Sequence, residues 1–415
     1  MTDDIEPVPP STVPHPRPSS DQFQQRQAVL DALARLSAPD KPRGAVEALT
    51  DQVLLCTSAR TGKTLLPALP EQIGGLVLGG VESRAGILKL RDDNFDKLLL
   101  ADSESYRAAP ATKDEPFVLP QDGLFPITLD QDLQTQRDIG ADVAMTPTGY
   151  LHAGDSDALR AAVREAGKID RDDVLFSAPL DIAWFTDEHI AHLIAVLAQL
   201  PLPKAVFLGG QYDPVDRYKA VVVNLRRFVA EAGHVALFRT DLAGFDALSH
   251  GAFAASIGSG GSRRHMIPVG QTPYARNTED PAPSVLFGDL LSWHKGSTIA
   301  KRYGSTPAPA CHCQPCSGRR LNTFLDRADQ TAAHRHSMCT WASWIPDLLS
   351  QRTLRDRATW WRTRCASAVT HADIVNNQLN QPGAFPTPTP VQAWADLPAW
   401  LTADQPTTRR SSRSR

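Results

Sequence analysis

At 415 residues with a formal net charge of −3, the chain is long enough for a large core and carries no global basic signature, so any nucleic-acid partner must be met by a local patch. No apolar stretch reaches the roughly 18 residues that span a bilayer, and the acidic, Pro/Ser-rich first twenty residues show no basic-then-apolar leader. Three of the six cysteines fall within six residues and the rest are scattered, which argues against a secreted disulfide framework and for a cytoplasmic, reducing location without a membrane segment.

Residues 1–22 read as a disordered Pro-rich tail. Short apolar runs then alternate with amphipathic stretches, the pattern of parallel strands joined by crossover helices. Eight strands are expected, at Leu65–Leu69, Gly75–Leu78, Leu98–Ala101, Asp142–Met145, Val174–Phe176, Ala205–Leu208, Val235–Phe238 and Phe253–Ile257. Helices are expected at Asp157–Ala166, Asp187–Leu200 and Val215–Ala232, the last closed by Gly233. The economical fold is α/β, a (βα)8 TIM barrel over residues 23–265. An insertion and a zinc-binding subdomain with helices follow over 266–375, and a Pro-rich, basic tail over 376–415.

In such barrels chemistry gathers where strands run out at their C-terminal ends. Asp102 follows a Leu-Leu-Leu-Ala run, where partial desolvation raises a carboxyl pKa and suits proton transfer; the alternative is a helix cap or a loop ion pair. Gly209-Gly210 can let a flat ligand approach backbone amides, or simply make a tight turn. Gly258–Gly261 with Arg263, Arg264 and His265 can cradle a phosphate, or form a solvated surface loop. Thr57–Thr64 imitates a Walker A loop, but Thr57 stands where the first glycine belongs and the run is expected to precede a strand, so nucleotide hydrolysis is rejected. Trp341, Trp344, Trp360 and Trp361, at near-helical spacing, read as a packing face.

Cys311, Cys313 and Cys316 are spaced to wrap three corners of a tetrahedron around one soft cation, with His312, His334 or His336 nearby for the fourth. Zn2+ is the expected ion. Four protein ligands leave no open position, so its role is structural; the alternative is a reduced, metal-free loop.

The cluster Cys311-x-Cys313-x-x-Cys316 with His336-Ser337-Met338 resembles the zinc motif of the tRNA-guanine transglycosylase family, whose histidine is usually followed by Asn-Leu. Ala59–Gly62 with Leu66–Pro70, Leu100–Ser103, Ile139–Met145 and Leu208–Gly210 are similar to that family's N-terminal hairpin and first, third, fourth and sixth strands. The likeness runs in order over residues 55–345. It implies a βα barrel with a zinc subdomain that exchanges guanine for a 7-deazapurine base in tRNA or DNA, alone or as a homo- or hetero-oligomer. It also implies His336 as fourth ligand, Asp102 as general acid/base, and Ser103, Gly209 and Gly210 against the base, with Arg263 and Arg264 near phosphate. The family's nucleophilic aspartate at strand eight falls here between Ala254 and Ser256, where no carboxylate stands. Its base-reading aspartate falls near Thr148, and its strand-five glutamine near Leu180 or Asp181. Asp241, ending strand seven, is the nearest carboxylate to take the nucleophile's role, with Asp289 a second candidate. The alternative is a noncatalytic paralogue, a zinc-stabilised barrel that binds nucleic acid or a protein partner.

Overall fold

The computed structural model describes residues 20–120, 126–272 and 279–402; the expected tails at 1–19 and 403–415 lie outside the described residues. After α1 (Ser20–Leu33), eight parallel strands alternate with helices. These are β1 (Gln52–Thr57), α2 (Ala59–Leu65), β2 (Gly75–Gly79), α3 (Ser83–Asp92), β3 (Leu98–Asp102), α4 (Leu129–Asp138), β4 (Ala144–Met145) and α5 (Ser156–Ala166). Then come β5 (Val174–Asp181), α6 (Ile190–Leu197), β6 (Lys204–Gly209), α7 (Val221–Glu231), β7 (Val235–Thr240), α8 (Ala243–Ser249) and β8 (Ala254–Gly258).

The strands run round a nearly closed barrel in the order β4, β5, β6, β7, β8, β1, β2, β3. The period of two along each strand sorts the side chains. Leu54, Cys56, Val77, Leu100, Leu175, Phe207, Phe238 and Ala254 fill the interior, while Val53, Leu55, Leu76, Leu99, Phe176, Val206, Leu237 and Ala255 pack outward under the helices. No ladder joins β3 to β4. Between the two strands themselves one backbone bond, Asp142 N–H to the Leu99 carbonyl at 2.8 Å, is helped by the Leu99 N–H donating to the Asp142 carboxylate at 2.7 Å; nearer the mouth the segment after β3 pairs with the segment after β4, Tyr150 N–H on the Ala109 carbonyl at 3.0 Å and Ala111 N–H on the Tyr150 carbonyl at 2.8 Å. Arg91 of α3 pairs with the Asp142 carboxylate.

The first strand is not at Leu65–Leu69. That run begins in α2 and continues as a 3-10 turn at Leu66–Ala68 with Pro67 in its first turn, a position that proline's fixed φ suits. β1 lies earlier, in Gln-Val-Leu-Leu-Cys-Thr. The Walker-like run therefore does follow a strand, contrary to expectation. It still offers no phosphate cradle, because Ser58 already caps α2, taking the Thr61 N–H at 3.2 Å, and no open loop separates strand from helix.

Beyond β8 come the antiparallel pair β9 (Ser284–Phe287) and β10 (Ser292–Lys295), α9 (Gly296–Tyr303), α10 (Gln330–Ala342), α11 (Ile345–Leu349), α12 (Leu354–Gln378) and α13 (Thr389–Asp396). The stretch after residue 375 is thus no tail as far as residue 402. α12 runs to Gln378, and Trp394 of α13 packs against Trp361 of α12 with ring centroids 5.6 Å apart. Trp361 in turn stacks on Phe245 of α8 at 5.4 Å, so the tryptophan face clamps the helical layer onto the barrel.

Arg226 of α7 and Asp246 of α8, 2% and 1% exposed, form a buried two-pronged ion pair, and Arg226 also donates to the Pro398 carbonyl. Asp246→Ala strands that guanidinium without its counter-charge. We expect a loss of about 3–5 kcal/mol, read as a lower urea midpoint at unchanged pH.

Candidate functional site

The mouth of the barrel is closed by its own charged side chains. Asp102, an inward position at the end of β3, accepts the Tyr106 hydroxyl at 2.7 Å and the Glu104 N–H at 2.9 Å, with the Arg239 guanidinium 3.5 Å away. Arg239 donates to Glu104 at 2.7 Å, to the Tyr106 oxygen at 2.6 Å, and to the carbonyls of His265 and Ser262 at 3.0 and 2.9 Å. Arg263 pairs with Glu104 as well. Only a glycine at position 79 lets these groups meet, since a Cβ there would lie 2.5 Å from the Arg263 guanidinium and 2.9 Å from the Glu104 carboxylate.

Strand parity alone would send Arg239 outward, two residues after outward Leu237. The β7–β8 register shifts between Leu237 and Thr240, and Arg239 has φ 51°, a bulge that turns the side chain into the mouth. Its backbone N–H is held by the Ser256 hydroxyl at 2.8 Å. Ser256, inward on β8 within the stretch expected to hold the nucleophile, is therefore fully committed to fixing that bulge.

The space left beside Asp102 and Ser103, walled by Tyr106, Met145, Thr148 and Ser177, is about 10 Å³, roughly what one water needs. Ser103 and Ser105 share a hydrogen bond at 2.7 Å, and Thr148 bonds Thr146 at 2.8 Å. Asp181 is tied to the Tyr150 hydroxyl at 2.9 Å and caps the Ala183 N–H. Burial pushes the Asp102 carboxyl up, against the opposing pull of Arg239 and Tyr106.

Gly209 and Gly210 do not present free backbone to a ligand. Residue 266 pairs alongside them: the Gly210 N–H donates to the Met266 carbonyl at 2.9 Å and the Met266 N–H to the Leu208 carbonyl at 3.1 Å. Gly258 lets that returning segment pass, as a Cβ would sit 2.2 Å from the Arg263 carbonyl carbon.

Asp241 is not brought to Asp102. It lines a separate cleft of about 700 Å³, with Asp213, Arg264, His265 and Trp293 among its walls, under the 386–394 segment. Asp213 stands close enough to Asp241 to feel its charge. Arg264 does not reach toward the phosphate-cradle position beside Arg263; its guanidinium lies over the Trp293 ring, 3.9 Å from the centroid. Asp289 is remote from Asp102, lining a different groove beside α12. Glu104, Tyr106, Asp213 and Arg239 stand at or just after the ends of β3, β6 and β7, suggestive positions to which the sequence alone gives no role. A lone arginine ending the apolar run Val-Ala-Leu-Phe was the legible signal.

The cysteine cluster assembles as spaced. Cys311 through Gly318 fold into a tight knuckle, with the Cys316 N–H on the Cys313 carbonyl and the Gly318 N–H on the Cys311 carbonyl. His336 on α10 brings Nδ1 to 3.1, 3.9 and 3.4 Å from the sulfurs of Cys311, Cys313 and Cys316, and all four ligand atoms lie within 4.8 Å of one another. Its Nε2 is 2.8 Å from the Leu286 carbonyl and must donate there, which leaves Nδ1 as a lone pair facing the sulfurs. His334 instead meets Gln330, and His312 is exposed. The set can hold one metal ion.

Burial and the Asp241 charge push Asp213 well above the ordinary carboxyl range; burial raises Asp241 too, opposed by the Ala243 N–H and Arg264. With folded pKa values above the unfolded ones, the folded state binds more protons, so stability is lost as pH rises from the unfolded carboxyl pKa through the folded ones. Asp213→Asn removes this penalty. The variant gains roughly 1 kcal/mol or more over the parent at pH 8 and shows a smaller drop between pH 5 and pH 8, measured by urea unfolding.

No protein family matches the chain, and no curated protein matches it. Among solved structures it is similar to the carboxyl transferase domain of Rhizobium etli pyruvate carboxylase with pyruvate and biocytin, at 10% identity over 90% of this chain and 70% of that one, with a TM-score of 0.31. The same domain with 3-bromopyruvate gives 12% identity, the same coverage and a TM-score of 0.28. Scores this low carry no argument about fold or function.

Proposed function

We propose that this chain is a tRNA-guanine-transglycosylase-like barrel that binds nucleic acid through a zinc-stapled subdomain and does not exchange bases at Asp102. The observation that carries this reading is the Arg239 plug. Base exchange of that family's type needs a carboxylate opposite Asp102 and a purine-sized void between them. Here no carboxylate stands on β8 between Ala254 and Ser256, and the chain's own side chains fill the void.

Zinc is the ion that suits the cluster, because three thiolates and an imidazole nitrogen make a closed, tetrahedral, soft donor set. Its role there is to pin the knuckle to α10. Nucleic-acid binding is supported by exposed cations on the elements around the cluster: Arg60 and Lys63 on α2, and Arg320 and Arg327 between the knuckle and α10. None of the four makes an ion pair among the described residues. α2 is tied to α10 by Arg335, which donates to the Thr64 carbonyl at 2.6 Å.

A second reading, an active enzyme in which the 259–265 segment swings clear, is favoured by Asp102-Ser103 standing at the end of β3 as the family resemblance requires.

Incubation with labelled tRNA or duplex DNA and a 7-deazaguanine base, followed by denaturing electrophoresis, separates the two. We expect retained binding, no exchange and no covalent adduct; an adduct with either nucleic acid restores the enzyme. Elemental analysis is expected to find one zinc per chain. Cys313→Ser should lose most of it and melt at lower temperature, and full zinc in that variant would overturn the ligand set.

A further inference from the structure

The cleft at the ends of β6 and β7 holds polar groups that the fold itself leaves unanswered. Asp213 and Asp241 both line it, close enough for the Asp241 charge to act on Asp213, and each is fixed by an N–H from its own loop: Val215 to Asp213 and Ala243 to Asp241, both at 2.9 Å. The pair is thus positioned by backbone and not by a structural cation. Across the same cleft, the Arg264 guanidinium is held flat on Trp293 and forms no hydrogen bond or ion pair among the described residues. Its Nε and the Trp293 Nε1 are buried without a partner. Arg264 is near enough for Asp241 to feel its charge, yet no contact closes the gap between them.

A half-buried arginine whose Nε lacks a partner, beside Asp213, Asp216 and Asp241, is an incomplete set that a ligand can complete. The arrangement has separate places for a positive and a negative group, a short distance apart. Leu242, Leu291, Val391 and Trp394 add an apolar wall, and the volume of about 700 Å³ lies in the range of small-molecule sites. His265 also lines the cleft, kept neutral by burial and by Arg239 and Arg264, so it competes for neither charge.

We infer that this cleft binds a free α-amino acid with an apolar or aromatic side chain: the ammonium on the Asp213–Asp241 pair, the carboxylate on Arg264, and the side chain against Leu242, Leu291 and Trp394. The inference does not depend on the nucleic-acid reading, since none of these groups belongs to the zinc subdomain's basic face or to the plugged mouth.

The test is isothermal titration of the full chain with L-phenylalanine, L-phenylalaninamide, which lacks the carboxylate, and N-acetyl-L-phenylalanine, which lacks the ammonium. L-Phenylalanine is expected to bind, and each derivative to bind about tenfold more weakly or worse. Asp241→Asn, whose side-chain oxygen can still cap Ala243, should weaken L-phenylalanine by about tenfold or more while leaving zinc content and the circular dichroism spectrum unchanged. Arg264→Gln should weaken L-phenylalanine but leave the affinity for L-phenylalaninamide unaltered, a pattern that a folding defect does not produce. Absence of L-phenylalanine binding at millimolar concentration, or equal binding of all three compounds, overturns the proposal.

Discussion

A guanidinium taken out of water must be surrounded by acceptors, and the barrel mouth is organised around meeting that demand for Arg239. Glu104, the Tyr106 hydroxyl and the carbonyls of Ser262 and His265 supply the acceptors, with the Asp102 carboxylate close by. The bulge in β7, the glycines at 79 and 258 and the return of residue 266 alongside β6 are conditions for that convergence. Removing the guanidinium would leave buried Asp102 and Glu104 facing each other with less compensation. The mouth is therefore a stability element first, and the same commitment is what leaves no room for a base.

The two ends of the molecule carry different kinds of order. Arg239 fixes the barrel mouth by charge, whereas the cysteine knuckle packs on an apolar cluster with Phe324, Leu321 and Ala333 and brings four donors together. His336 is oriented from outside the knuckle: its Nε2 donates to the Leu286 carbonyl of β9, so Nδ1 is aimed at the sulfurs. The tryptophan clamp between α12, α13 and α8 then holds the C-terminal helices on the barrel wall.

What was legible in the sequence followed periodicity and spacing. Continuous apolar runs such as Leu98–Ala101 and Ala205–Leu208 mark strands buried on both faces, and thiols at i, i+2 and i+5 mark a knuckle able to hold a metal whether or not the fold is known. The first strand was misplaced because short apolar runs do not tell strand from helix, and Leu-Leu-Pro-Ala-Leu lost to Gln-Val-Leu-Leu-Cys-Thr only once packing was formed. The site was less legible still. Parity places Arg239 on the wrong face, and one bulge reverses it. Asp241 and Asp102 both end strands, yet nothing in their spacing tells that they open into different cavities.

The barrel is a clasp and not a hoop. Seven strand junctions are zipped by parallel ladders, but β3 itself meets β4 through one backbone bond and one partly wetted carboxylate, the rest of that seam being closed by the segments that follow the two strands. Local opening concentrates where backbone bonds are fewest. Asp102 stands on β3 itself, so the strand carrying the buried carboxyl is one of the two without a full ladder on one side. Amide exchange along β3 and β4 would thus report the breathing of the barrel mouth, and a seam that parts there loosens the Arg239 network from one side without disturbing the other six strands.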